Sequence, residues 1–278
     1  MLAGLAVFAL YPLIGLIALA LSRSNLGKPF QAWVGASNLL KALGDETVRH
    51  ALTVSTTYAL ATTIAAMLLG TGLALLLDRA VRARDLWRTL MLLPLLTPPV
   101  TVAIIWQLIL MPKGGLLNAI ALGAGWIEQP VTFLGSPQTA LLFLCIADVW
   151  QWTPFVALMV YAALQTLPSD VYEAALIDGA SPSRTFWSIT LPMLAPALWG
   201  IAVLKLVIAF KVFDLVFVLT AGGPGQATTV ASFHIYRTAI QQFDIGLAAA
   251  QTILFGILVG VVTIPFTRGQ ARAERRLS

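Results

Sequence analysis

Four ionisable side chains, Asp148, Lys205, Lys211 and Asp214, sit within or beside long apolar stretches of this 278-residue sequence. Charge in such surroundings is costly, and it usually faces a cavity or a partner. Asp148, Trp152 and Phe155 recur at i, i+4 and i+7, which puts them on one helical face. Lys205, Ile208, Ala209 and Val212 share a face in the same way. Pro154 has no N–H for the carbonyl of Trp150, so the first face also carries a freed acceptor. Two readings stay open at this level. These residues line a solute pathway, or Asp148 pairs with Lys205 and Lys211 pairs with Asp214, three positions on.

A second group of informative residues fills the polar stretch 165–192. It exceeds the ~2–8 residues of ordinary helix connections, so it has structure of its own. Asp170 with Glu173 three residues later reads as an N-cap and its capping partner, opening a short helix through Tyr172, Ala174, Ala175 and Leu176. Gly179 is placed to end it, next to Asp178. Ser181 followed by Pro182 opens a second short helix through Phe186 and Ile189, ahead of Leu191 and Pro192. Ala174 and Ala175 allow close approach of another protein, and Glu173 and Asp178 offer charge to a basic groove. A protein socket and a bare surface helix pair fit this local chemistry equally well.

The elements that must position both groups follow from composition. Hydrophobic residues make up 59% and charged residues 10% of the chain, against about 25% charged in soluble domains. At about 20 apolar residues per crossing, six spans fall near 2–21, 51–77, 89–111, 138–164, 193–219 and 244–267. The 78–88 connection carries Arg79, Arg82, Arg84 and Arg88, and the tail carries Arg268, Arg272, Arg275 and Arg276. The positive-inside rule puts both on the cytoplasmic side. Six spans then place both termini and the 165–192 loop inside as well, in one transmembrane domain over 1–278.

Segment 2–21 contains Ala18-Leu19-Ala20, which resembles a cleavage site. It has no basic n-region and is longer than a signal h-region, so it is read as a retained helix. Trp33, Leu39, Leu40 and Leu43 in the first outward connection suit either a short interfacial helix or an ordered loop. Pro94, Pro98 and Pro99 bend the third span; Thr97, Thr101 and Gln107 could line a cavity from it, but threonine commonly bonds its own helix backbone, which favours a structural reading. Cys145 is read as a packing residue, and His50 and His234 as surface residues of outward loops.

The string from Glu173-Ala174-Ala175 through Asp178-Gly179-Ala180 to Phe186, Ile189 and Leu191-Pro192 resembles the EAA signature of binding-protein-dependent ABC importer permeases. Leu93-Pro94, Pro98-Pro99, the 114–118 and 148–155 strings, Phe213-Asp214 and the 222–225 turn are similar to the maltose- and glycerol-phosphate-type carbohydrate branch. The resemblance implies an all-α, polytopic type I importer fold in the bacterial cytoplasmic membrane. It implies as partners a second homologous permease, two ATP-binding subunits and an extracytoplasmic solute-binding protein, with no nucleic acid. The 165–192 loop becomes an ATPase-coupling element at Glu173, Ala174, Ala175, Asp178 and Gly179. The substrate pathway, for a sugar or polyol, becomes Asp148, Trp152, Phe155, Lys205, Ile208, Ala209 and Val212.

No cofactor or metal is implied in this chain; ATP and Mg belong to the partner ATPase. The sequence agrees, because it has no G-x-x-x-x-G-K-[ST] string and its Gly27-Lys28 pair runs into Pro29. A membrane enzyme would need a set such as H-E-x-x-H, which is also absent. An ion-coupled secondary transporter is the remaining alternative, and it leaves the elaborated 165–192 loop without a purpose.

Overall fold

The computed structural model describes residues 2–79 and 84–275. Of the arginines used for orientation, Arg82 and Arg276 lie outside the described residues, as do the side chains of Arg79, Arg84 and Arg88. Four helical runs are long and apolar enough to cross a membrane: 46–78, 137–164, 182–210 and 245–275. A bent pair adds a fifth, and the first helix, α1 (Leu2–Ala20), is apolar along its length. The expected count of six is reached only by including both.

After α1 the chain makes an antiparallel hairpin, β1 (Ser22–Asn25) and β2 (Lys28–Trp33). The Asn25 side chain accepts from the Lys28 N–H at 2.7 Å, fixing its turn. The sequence reading contains no such hairpin, because neither strand is apolar or regularly alternating. Trp33 ends β2, while Leu39, Leu40 and Leu43 do form a short helix, α2 (Ser37–Gly44). The buried Asn38 amide ties α2 to the end of α1 through the Ala20 and Ser22 carbonyls, at 3.0 and 2.9 Å.

The central packing is made by α3 (Glu46–Arg79) against α7 (Pro137–Leu164). Gly70 permits that closeness, since a Cβ there would stand 2.7 Å from Val156 Cβ. Between them the expected third span is two helices, α4 (Arg84–Leu96) and α5 (Pro99–Leu110), bent by 96°. The cause is local. Pro98 and Pro99 lack N–H groups, and a residue before proline is pushed out of the α region; Pro98 sits at φ −55, ψ 140. A small helix, α6 (Leu116–Gly123), follows, pinned by the buried Asn118 amide to the Met111 and Val131 carbonyls.

Beyond α7, α8 (Ser169–Ile177) and α9 (Pro182–Thr185) occupy the 165–192 stretch. A single π turn over Phe186–Thr190 joins α9 to α10 (Leu191–Phe210). The second short helix therefore does not stop at Leu191-Pro192: it runs on into the spanning helix. That span in turn ends early, because the chain leaves helix at 211–213 and resumes at 214–220. The segment returns through α11 (Ala231–Tyr236), whose Ser232 hydroxyl donates to the Val212 carbonyl freed at the break. Backbone opened at membrane depth needs such a partner. Phe213, Phe217, Phe233 and Tyr236 pack ring against ring beside it, the Phe213–Tyr236 centroids being 5.2 Å apart. The last helix, α12 (Ile245–Arg275), packs on α10 and α1.

Candidate functional site: a cavity at a broken helix

The break after α10 opens a cavity of about 270 Å³ between α7 and the start of α5. From α7 it takes Asp148, Gln151 and Trp152, and from the region of the break Ile208, Lys211, Val212 and Asp214. Pro99, beside the 96° bend, closes one wall. A larger groove of about 750 Å³ runs between α3, α4 and α7 past Cys145, but its walls are almost wholly apolar. It offers a polar solute nothing with which to replace its hydration.

Lys205 Nζ donates to Asp148 Oδ1 at 2.7 Å, with both residues at or below 2% exposed. Asp148 and Lys205 therefore pair, as one of the two open readings has it. The pair neutralises itself across α7 and α10, while one edge of Asp148 still faces the cavity. Tyr58 of α3 is fully buried against the same carboxylate, its hydroxyl lacking a well-formed hydrogen bond. The other expected pair does not form: among the described residues no ion pair joins Lys211 to Asp214, because the helix that would align them is broken between them.

The remaining pathway candidates divide. Trp152, Ile208 and Val212 line the cavity beside Asp148. Lys205 and Ala209 are buried behind it. Phe155 packs edge-on against Trp152 at 6.0 Å and against the α3–α10 core, so it supports the indole without lining the space. Gln151 was missed. It is 2% exposed, its amide donates to the Thr97 carbonyl at 3.1 Å, and its Oε1 has no partner among the described residues. A buried acceptor without a partner carries an unmet hydrogen bond. Its place one turn from Asp148 was the available signal, obscured because amides within spans are less conspicuous than charges. Thr97 bonds its own helix through Leu93 O, as expected of a structural threonine.

The second candidate surface is α8 and its flanks. The helix starts at Ser169 with Pro168 as its cap residue, so Asp170 lies inside the first turn and is not the N-cap; no capping box forms with Glu173. Both carboxylates still lie near the N-terminus, where the helix dipole favours them. Its end follows the expectation: Gly179 adopts φ +69, its N–H reaches Leu176 O, and the Ala180 N–H reaches Ala175 O, the two bonds of a Schellman cap. Ser181 caps the next helix through the Arg184 N–H.

Glu173, Ala174, Asp178 and Gly179 are exposed, whereas Ala175 is 6% exposed and faces this chain's own interior. Only one of the two alanines therefore leaves room for another protein. Leu176 and Ile177, which the sequence reading did not single out, are 75% and 87% exposed. Exposed aliphatic side chains between carboxylates suit a contact surface.

Of the two histidines, His50 is exposed and meets the Gln226 carbonyl. His234 is half-buried beside the Gln251 amide at 3.5 Å, contrary to its reading as a surface residue. Burial pushes its imidazole below the usual histidine range, Asp45 opposing and Arg237 adding to the effect.

Residues 66–278 match the family model described as binding-protein-dependent transport system inner membrane component. The chain is 37% identical over 265 residues to the trehalose/maltose transport system permease protein MalF of Thermococcus litoralis, covering 94% of this chain and 88% of that protein. It is 31% identical to the sn-glycerol-3-phosphate transport system permease protein UgpA of Agrobacterium fabrum, over 83% of this chain and 78% of the relative. In fold it resembles a chain of the crystal structure of a bacterial ABC transporter involved in the import of the acidic polysaccharide alginate, with TM-score 0.84, 23% identity, and 98% and 92% of the two chains covered. Extent and identity together make this chain a member of the family of binding-protein-dependent transport system inner membrane components.

Proposed function

We propose that this chain, as one transmembrane permease domain with both termini in the cytoplasm, forms half of the translocation pathway of an ABC importer for a sugar, polyol or related carbohydrate. The observation that carries the solute assignment is the cavity at the broken helix. There Asp148 and Gln151 supply polar side chains, and the Trp152 indole supplies a flat apolar face. A carbohydrate needs both, since its hydroxyls seek hydrogen bonds and its C–H faces pack on aromatic rings. The named relatives support this class: one carries trehalose and maltose in its description, another glycerol phosphate.

The partners are a second homologous permease, an extracytoplasmic solute-binding protein and two ATP-binding subunits, which carry the ATP and Mg. The 165–192 loop lies on the cytoplasmic side, with α8 as the helix on which one ATP-binding subunit docks. Glu173 and Asp178 provide the charge for that contact, and Leu176 and Ile177 its apolar area. Lys205 and Ala209 act from behind the cavity, setting the position of Asp148. Family membership leaves the ion-coupled transporter without support.

Two measurements test this. In the assembled complex, the ATPase rate stimulated by solute-loaded binding protein is read across a panel of sugars and polyols; activation by none of them sinks the carbohydrate assignment. Separately, Glu173→Lys is expected to lose the ATP-binding subunit on purification while helix content stays unchanged, since like charge facing a basic groove costs several kcal/mol. Full retention sinks the docking assignment.

A further inference from the structure

The helix α8 packs only lightly on the rest of the chain. Behind it lies a hollow of about 550 Å³, lined among others by Asp78, Gln165, Leu176 and Phe186. Across that hollow the Tyr172 hydroxyl donates to Thr190 Oγ1 at 3.1 Å. The Thr190 hydroxyl is directed in turn to the Thr185 carbonyl, at 3.5 Å. Thr190 is 7% exposed and closes the π turn in which the Leu191 N–H reaches back to the Phe186 carbonyl. This side-chain hydrogen bond joins α8 to the base of α10.

We propose that Tyr172 and Thr190 form the mechanical tie through which displacement of α8 reaches the solute cavity. A π turn is a weak point in a helix and occurs often at functional positions, so the foot of α10 yields there before its rigid body does. Above Thr190, α10 is one continuous helix to Phe210. Lys205 lies on it about 22 Å further along, at 1.5 Å rise per residue. Lys205 grips Asp148, one wall of the cavity. A pull on Thr190 therefore acts on the cavity through a single helix and one buried ion pair. The hollow provides space for α8 to move without clashing, and the phenol links the two sides across it. Tyr172 and Thr190 are positioning residues: neither meets solute.

This inference rests on α8 being the ATPase docking helix. It is tested in the complete complex in proteoliposomes with Tyr172→Phe, Thr190→Val, the double variant and Thr190→Ser, measuring bound ATP-binding subunit, stimulated ATPase rate and solute uptake. The ATP-binding subunit is expected to stay bound in all four. Solute carried per ATP hydrolysed is expected to fall about two- to tenfold in each hydroxyl deletion, the range commanded by one hydrogen bond. The double variant falls no further than the worse single one, as expected for partners in one interaction, and Thr190→Ser restores the ratio. A wild-type ratio in Tyr172→Phe or Thr190→Val overturns the tie, and so do losses that multiply in the double variant. Glu173→Lys, run alongside, separates the two failures: if it keeps its ATP-binding subunit, the docking assignment is what has failed.

Discussion

The two ends of α10 use the same kinds of side chain in opposite ways. At one end Asp148 and Lys205 are withdrawn from solvent and grip each other at 2.7 Å. Around α8, Glu173 and Asp178 are exposed to solvent. A charge in lipid or protein interior has to be neutralised by its own chain, whereas an exposed charge on a lightly packed helix is free for another protein. Residue type alone therefore does not separate a structural carboxylate from a docking one; burial does.

The largest expected effect breaks the buried end. Asp148→Ala leaves the Lys205 ammonium without a counter-charge, and loss of one member of a buried pair costs about 3–5 kcal/mol. The thermal midpoint and yield of the purified complex should collapse, while Asp148→Asn combined with Lys205→Met recovers most of both. A single variant as stable as the wild type would show that the pair is dispensable. Asp148 is thus unsuited to a test of solute binding alone, because its loss disturbs the frame before it reports on the solute.

The exposed end should respond more gently. Gly179 stands at φ +69, where a Cβ costs roughly 1–2 kcal/mol. Gly179→Ala is expected to unwind the end of α8 and weaken ATP-binding-subunit recruitment about tenfold in titration, with no change in thermal midpoint because so little is packed on α8. A drop in midpoint equal to that of the buried variants would erase the contrast between the two regions.

The smallest effect lies at the far end of the molecule. The His234 imidazole is held below its ordinary range chiefly by burial, so the unfolded chain takes up its proton first as pH falls. The associated stability is complete above the unfolded value of about 6.5 and is lost as pH drops through the lower folded one. Melting followed between pH 7.5 and 5.5 should show a downward slope that His234→Gln flattens. Equal slopes in the two proteins would mean the imidazole is hydrated in the folded state.

Local punctuation was legible in the sequence. Gly179, Ser181 and Pro182 act through their own dihedral limits and hydrogen bonds, so their positions survive into the structure unchanged. The failures share a cause. A hydropathy window averages across a break, so the 96° turn at Thr97-Pro98 and the opening at 211–213 both disappear into apparently continuous spans. Asp170 failed as a cap because Pro168, with its extended backbone, caps the helix two residues earlier.

By itself the sequence determined that this is an apolar helical chain, where the α8 stretch lies and how that stretch ends, because these depend on composition and on contacts within a few residues; the importer-permease kind came from the resemblance of its motifs. Only the tertiary structure decided that Asp148 spends its charge on Lys205, that Gln151 keeps an acceptor free, that Ala175 turns inward and that Tyr172 reaches Thr190. Each of these depends on the register between separate helices. A periodicity places a side chain on a face of its own helix, and only packing decides what that face meets.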